Sequence, residues 1–404
     1  MMRLSLRFFK WSLMAVFAIT LFNAIGAGGA RAADSDSPAA HEKALQAIPA
    51  DLRKYYEGYW YFSSVGENPY ANWTPPPAPW QFCFNTFYQG NSWQTSALAE
   101  YKKLVDQYAK AGLAKPDLIV SDSNTNVDVQ LSQLNNMIRQ GCNVIISIPS
   151  SPTALCSAVH DAHEKGILFM TVASPVSCPE AMNSDFNEYY AGATTVSWLV
   201  KAMGDKGNLV LTNGVPGLPG TVARRAGVAD VLKKHPGIHL LGEISGNWTP
   251  SVAKTEMVKF LATHPQRVDG VWDSGLMGVA AAQALSQSGR PAAKLNGFSG
   301  ECSYLAYWKQ EKLDSFTLAQ DGAASLYEGF LLAAYMLNGQ KPVANTIFYP
   351  LPEITNANFD QWYKPSMTLE SNCFAAPPDG RFVPDDFFKP YFSGGKAPSP
   401  MPAP

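Results

Sequence analysis

The stretch "PDLIVSDSNTNVDVQLSQLNNMIRQGCNVIISIPS", from Pro116 to Ser150, decides how the rest of the chain is read. Two apolar runs, "LIV" and "NVIISI", stand on either side of a segment with a different rhythm. In that segment Val127, Leu131, Leu134 and Ile138 recur at three- and four-residue spacing, which predicts one apolar face on a helix. Gly141 stands where that helix would stop. The runs on either side are apolar throughout rather than alternating. That is the pattern of strands covered on both faces, as in a parallel sheet.

Outward from this unit the rhythm repeats. "WQFCFNTF" (residues 80–87) reads as a strand and residues 96–111 as a helix. "TALCSAVHDAHEKG" (153–166) is helical and "ILFMTVAS" (167–174) is a fourth strand; residues 175–188 read as a loop. Beyond it, strands are predicted at 207–215, 238–246, 268–275, 293–300 and 313–320, with helices between them. The last long helix is "AASLYEGFLLAAYMLNG" (323–339), and "IFYPLPEI" (347–354) reads as one more strand. Strands alternating with amphipathic helices predict an α/β fold. About ten strands suit two doubly wound parallel-sheet lobes better than one small sheet. Ligands would then bind where the strand carboxyl ends open into a crevice.

The ends differ from this middle. Arg3, Arg7 and Lys10 precede the apolar "WSLMAVFAITLFNAIGAGGA", and Ala30-Arg31-Ala32 fits a small-x-small cleavage rule, so residues 1–32 are expected to be a removable signal peptide. That segment holds four of the 31 basic residues. Its loss leaves 27 basic against 33 acidic side chains, a net charge of −6. With no basic run or stripe, nucleic acid is not an expected partner. Residues 33–79 read as an N-terminal extension with a short helix and an aromatic, proline-rich stretch. Residues 356–404 read as a C-terminal extension ending in a disordered tail, "SGGKAPSPMPAP". The six cysteines form no C-x-x-C pair, which excludes a zinc ribbon or thioredoxin motif. Cys83 and Cys142 read as buried strand residues; Cys156–Cys178 and Cys302–Cys373 are the expected disulfides of an exported chain.

Catalytic signatures were sought and not found. "GFSGE" (297–301) lacks the G-x-S-x-G elbow of a hydrolase. His160 and His163 stand one helical turn apart without forming H-E-x-x-H or acquiring a third ligand. "GLPGTVARRAG" (217–227) is neither a dinucleotide fingerprint nor a Walker loop, and reads as a loop with Thr221 as helix cap. Arg224 just inside that helix could nevertheless reach a ligand with a planar donor fork. Trp93, Trp248 and Trp272 each fall at or just past a predicted strand end. Together they would make the walls of a site for a flat or cyclic ligand, such as a sugar ring.

From Trp80 to about Tyr349 the chain resembles the type I periplasmic binding proteins, of the ribose- and galactose-binding kind. The stretches that carry the resemblance are "SDSNTNVDVQLSQLNNMIRQGCNVIISIPS", "GTVARRAGV", "LATHPQRVDGVWDSGLMGVAAAQAL", "LNGFSGE" and "KLDSFTLAQDGAASLYEGFLLAAYMLNG". The resemblance implies two Rossmann-like lobes joined by three crossings. The first lobe would be residues 80–186 plus 321–345, the second 187–320 plus 346–355. It implies a monomeric periplasmic solute-binding protein of an ABC importer, without catalysis or cofactor, that closes by a hinge on a small solute and meets a permease transiently. A ligand sensor that hands occupancy to a membrane receptor or kinase is the alternative.

Matched position by position, the resemblance implies a ligand site of Gln89, Asn91, Trp93, Ser174, Arg224, Trp248, Asp273, Ser299 and Gln320. Two positions depart from the sugar-binding pattern. An Asp-Arg pair after the fourth strand is replaced by Ser174 and Pro175, and an aspartate after "GF" by Ser299. Both changes remove charge-assisted contacts to ring hydroxyls. The expected ligand is therefore sugar-like, a modified sugar or a polyol, with a small aromatic or heterocyclic ring as the alternative.

Overall fold

The structure is a computed structural model that describes residues 38–58 and 65–404. The expected signal peptide lies outside the described residues. All the sheets below belong to one compact unit.

The chain enters through α1 (Pro38–Ala47) and reaches the first sheet at β1 (Phe82–Thr86). There follow α2 (Ser92–Lys110), β2 (Ile119–Asp122), α3 (Val127–Arg139), β3 (Val144–Ile148), α4 (Cys156–Glu164), β4 (Leu168–Val172) and β5 (Met182–Asp185). The second half runs α5 (Glu188–Ala202), β6 (Gly207–Asn213), α6 (Pro219–Leu232), β7 (Ile238–Ser245), α7 (Pro250–Thr263), β8 (Gly270–Asp273), α8 (Gly278–Gln287), β9 (Lys294–Leu295), α9 (Cys302–Glu311) and β10 (Phe316–Leu318). It closes with α10 (Gly322–Leu337), β11 (Lys341–Pro342), β12 (Thr346–Phe348), β13 (Glu353–Thr355), α11 (Phe359–Trp362) and β14 (Phe392–Ser393).

Two parallel sheets result. The first has the order β12-β5-β4-β3-β1-β2, the second β7-β6-β8-β9. Strand alternation explains the apolar runs. Val144, Ile146 and Ile148 of β3 pack into the core shared with α2 and α10, while Ile145 packs into the core shared with α3 and α4. Both faces are covered, so neither alternates with polar residues. At the end of β1 the buried Asn85 takes over. Its Nδ2 donates to Ser121 Oγ at 2.9 Å and its Oδ1 accepts from Gln130 Nε2 at 2.9 Å and Ser147 Oγ at 3.1 Å. Gln130 Oε1 accepts in turn from the backbone and hydroxyl of Ser150. A fully bonded network thus sets the ends of β1 and β3, where the site begins.

Several expectations are corrected. The loop at 175–188 contains β5, whose "MNSD" carries no apolar run. Its buried Asn183 is satisfied locally: Asn183 Oδ1 accepts from Thr171 Oγ1 at 2.7 Å and from the Val176 backbone at 2.9 Å. The single strand read at 347–354 is two. β12 pairs with β5 in the first sheet, so residues 346–348 do not belong to the second lobe, while β13 pairs antiparallel with β10. Helix α6 starts at Pro219, so Thr221 sits in its first turn rather than capping it. Cys83 and Cys142 form a third disulfide beside Cys156–Cys178 and Cys302–Cys373.

The tail is placed, not loose. Tyr108 donates its hydroxyl to the Pro400 carbonyl at 3.1 Å, Tyr327 to Pro402 at 3.1 Å, and the Ala403 backbone to Gln107 Oε1 at 3.1 Å. Along the way the extension touches both halves. Ala375 lies in the core under α9, and β14 pairs with β11 beside the first sheet. The chain therefore crosses between the halves a fourth time, between Ala375 and Phe382, in addition to the crossings after β5, β10 and β12.

Glu328 of α10 anchors that fourth crossing. It is fully buried, and its Oε1 accepts from the backbone of Phe382 at 2.9 Å and of Val383 at 3.4 Å. Burial pushes its carboxyl from the ordinary 4.5 up to about 8, against the lowering effect of those two bonds and of Arg381. Between these values the folded chain binds a proton that the unfolded chain has lost, so stability falls as pH rises from about 4.5 to about 8. Glu328→Gln keeps the accepting oxygen and cannot ionise. Thermal unfolding at pH 5 to 8.5 should show a shallower loss of Tm in the variant, with the variant at least as stable as the parent at pH 8.5. Parallel pH profiles would mean that Glu328 does not carry the proton.

Candidate ligand-binding site

The carboxyl ends of the two sheets face a cleft with about 540 Å³ of non-protein space, part of it open to solvent. On the first lobe its wall starts where β1 ends. Helix α2 begins at Ser92, earlier than its periodicity suggests, because Asn91 caps it: Asn91 Oδ1 accepts from the Gln94 backbone at 3.0 Å. The cap places Trp93 in the first turn, nearly buried and facing the cleft. Its indole Nε1 donates to the Gln320 carbonyl at 3.0 Å, so the ring is tied to the chain crossing that follows β10. Ser174, after β4, also lines the cleft, although its hydroxyl is occupied by the Pro149 carbonyl at 2.7 Å.

The second lobe contributes a buried ion pair. Helices α5 and α6 cross closely because Gly192 and Gly227 leave room; a Cβ on Gly192 would lie 2.3 Å from the Arg224 carbonyl oxygen, and one on Gly227 would lie 2.1 Å from that of Tyr189. The approach lets Arg224 meet Glu188 as a fork. Nη2 donates to Oε1 at 3.0 Å and Nε donates to Oε2. Nη1 donates to the Ser274 carbonyl, and the guanidinium lies 3.9 Å from the Phe298 ring centre. Of five N–H donors, three are thereby used and two remain for a ligand. Burial pushes the Glu188 carboxyl up, and the Arg224 fork pulls it back.

Trp248 closes the wall after β7. Its Nε1 donates to the same Ser274 carbonyl at 3.2 Å, and its ring lies 5.5 Å from the guanidinium of Arg224. Its backbone has a φ of 50°, unusual for a bulky residue. Ala173 (φ 53°) and Leu276 (φ 66°) line the same cleft in the same left-handed region. Three non-glycine positions past strand ends thus hold a strained backbone around one cleft.

Of the nine expected residues, the structure brings Asn91, Trp93, Ser174, Arg224, Trp248, Ser299 and Gln320 to this cleft. Ser299 donates to Gln320 Oε1 at 3.3 Å. Asp273 does not reach it. The carboxylate is fully buried and caps the following turn, accepting from Gly275 at 2.9 Å and Gly278 at 2.7 Å, and burial together with nearby Glu301 pushes it up to about 8. Gln89 stands further out, at the cleft mouth. Trp272 is no wall either: it is fully buried and donates to Thr195 Oγ1 at 2.9 Å. Sequence reasoning missed Glu188, Phe87 and Leu218, which also line the cleft. Glu188 had a legible signal, an Asn cap followed by an acid at the start of a helix. The two helix histidines serve elsewhere. His160 faces Glu180 at 3.1 Å, and His163 packs edge-on to Tyr70; among the described residues no cluster could hold a metal.

A family profile described as a periplasmic binding protein domain matches residues 82–341. The chain belongs to that family. Among relatives of this binding protein is the xylitol-binding protein of Mycolicibacterium smegmatis, 30% identical over 268 residues that make up 66% of this chain and 76% of the relative. The ribose import binding protein of Bacillus subtilis is 25% identical over 62% of this chain and 80% of its own length. An ABC transporter solute binding protein from Thermobispora bispora shares the fold, with a TM-score of 0.68 at 21% identity over 77% of this chain and 94% of that one. The family match ends before the C-terminal extension begins.

Removing one member of the buried pair should cost more than removing both. Arg224→Ala strands Glu188 among apolar groups and is expected to lower unfolding free energy by about 3–5 kcal/mol. Arg224→Met combined with Glu188→Leu should recover most of that loss. Urea unfolding of the two variants and the parent measures it, and equal losses would show that the pair is not a unit.

Proposed function

We propose that this protein is a periplasmic substrate-binding protein of an ABC importer that takes a small neutral sugar-like solute or polyol into the cleft. The observation that carries the reading is that Trp93 of the first lobe and Trp248 and Arg224 of the second line one cleft, with two of the Arg224 donors unused. Ring faces of the two tryptophans suit the C–H faces of a cyclic or extended polyol. Arg224, Asn91 and Gln320 supply hydrogen bonds that fix its orientation, and hinge closure over the crossings takes it out of water. The relatives' names point the same way, since they are described as binding xylitol, ribose and D-xylose.

Three disulfides among the described residues suit an oxidising compartment, and support export directed by residues 1–32. Binding and presentation to a membrane permease need no catalytic group.

A thermal-shift screen of the mature protein with pentitols, hexitols, inositols, aldoses and small aromatic heterocycles tests the reading, because a binder raises Tm by mass action. A polyol or sugar should emerge, and Trp93→Ala should weaken it at least tenfold, about 1.4 kcal/mol, by calorimetry. Response to aromatic heterocycles alone, or unchanged affinity in Trp93→Ala, would overturn it.

A further inference from the structure

Outside the inner cleft lies a second chamber with about 1110 Å³ of non-protein space. The two adjoin, with Asn91, Trp248 and Leu276 in the walls of both. One wall of the outer chamber is residues 369–373, which lie in the C-terminal extension beyond the family match. That wall is fastened to the second lobe. Cys373 is joined to Cys302, the Cys302 backbone donates to the Cys373 carbonyl at 2.9 Å, and the Ala375 backbone donates to Gly300 at 2.8 Å.

Two lining residues carry buried polar atoms that have no hydrogen-bond partner: Nε2 of Gln89 on the first lobe and Oε2 of Glu301 on the second. Both atoms are sealed from solvent and so do not face the chamber, whose lining offers instead the hydroxyl and amide side chains of Ser92, Thr95, Thr249, Ser303, Ser371 and Asn372. The chamber's charged side chains, Glu301 and Glu370, are acidic, and no Lys, Arg or His lines it. A phosphate or carboxylate would find no counter-charge there; hydroxyl groups would find both partners.

We infer that the physiological ligand has two units: a ring or polyol seated between Trp93 and Trp248, and a second neutral, hydroxylated unit joined to it that fills the outer chamber against residues 369–373. The ligand class is a disaccharide, glycosyl polyol or similar glycoside. The inference rests on the proposed binding of a sugar-like solute in the inner cleft.

Calorimetry with matched pairs tests it: sorbitol against maltitol, myo-inositol against galactinol, glucose against cellobiose. At least one two-unit member should bind tenfold or more tightly than its one-unit counterpart. Asn372→Trp, at an exposed position on the extension wall, should weaken that two-unit ligand at least tenfold and leave any one-unit affinity within threefold. Gln89→Ala, on the opposite wall, should show the same selectivity, which guards against a folding defect in the first variant. If one-unit ligands bind as well as all their two-unit partners and both variants treat them alike, the two-unit inference fails while the binding reading stands. If no member of any pair binds the parent protein, both fail.

Discussion

The arrangement of the cleft depends on one buried contact, the fork between Arg224 and Glu188. It ties together the start of α5, the start of α6 and, through the Ser274 carbonyl, the turn after β8. The Ser274 carbonyl also receives the indole of Trp248, so a single guanidinium sets the second lobe's whole face of the site. Such a pair adds little to stability by comparison with a hydrophobic replacement, because both ions have left water. Its contribution is positional. Phe298 beneath the guanidinium holds it flat, and the glycines that let α5 and α6 approach keep the fork within reach.

The extension changes what a two-lobed binder can do. The crossings after β5, β10 and β12 join the two lobes, and Gln320 of the second crossing lines the cleft. Here a fourth crossing is pinned at both ends, by the Cys302–Cys373 disulfide on the second lobe and by Glu328 and the β11–β14 pair on the first. Between those pins the chain has only a few residues of slack. A segment that the family match does not include thus joins the two lobes as well.

Much of this was legible because the strands are covered on both faces. Apolar runs such as "NVIISI" separate cleanly from helical spacing, and the order of elements followed. The strand β5 was not legible, since its "MNSD" is polar and its burial is met by hydrogen bonds from β4 and β12 rather than by apolar packing. The same two-sided burial explains the errors at β8. Trp272 and Asp273 are neighbours at a strand end, and nothing in a run apolar on both faces says which side chain meets the cleft. The structure turns Trp272 into the core under α5 and uses Asp273 to cap its own turn. Asn91, Trp93, Arg224 and Trp248 line the cleft because they stand at or just beyond strand ends. Glu188 was lost inside what read as a loop.

The charge pattern then narrows what such a cleft selects. Arg224 is its one cation, and Glu188 already neutralises it with two hydrogen bonds. Burial pushes the Glu301 carboxyl up beside the cleft mouth, against hydrogen bonds from the backbone that pull it back. The Asp-Arg pair that grips hydroxyls in sugar binders is replaced by Ser174 and Pro175, and the Ser174 hydroxyl is already donated to a carbonyl. The site therefore offers aromatic faces and amide groups in place of free ions. An anionic ligand would meet a guanidinium whose charge Glu188 already balances, whereas a neutral hydroxylated one needs only the two donors the pair leaves free.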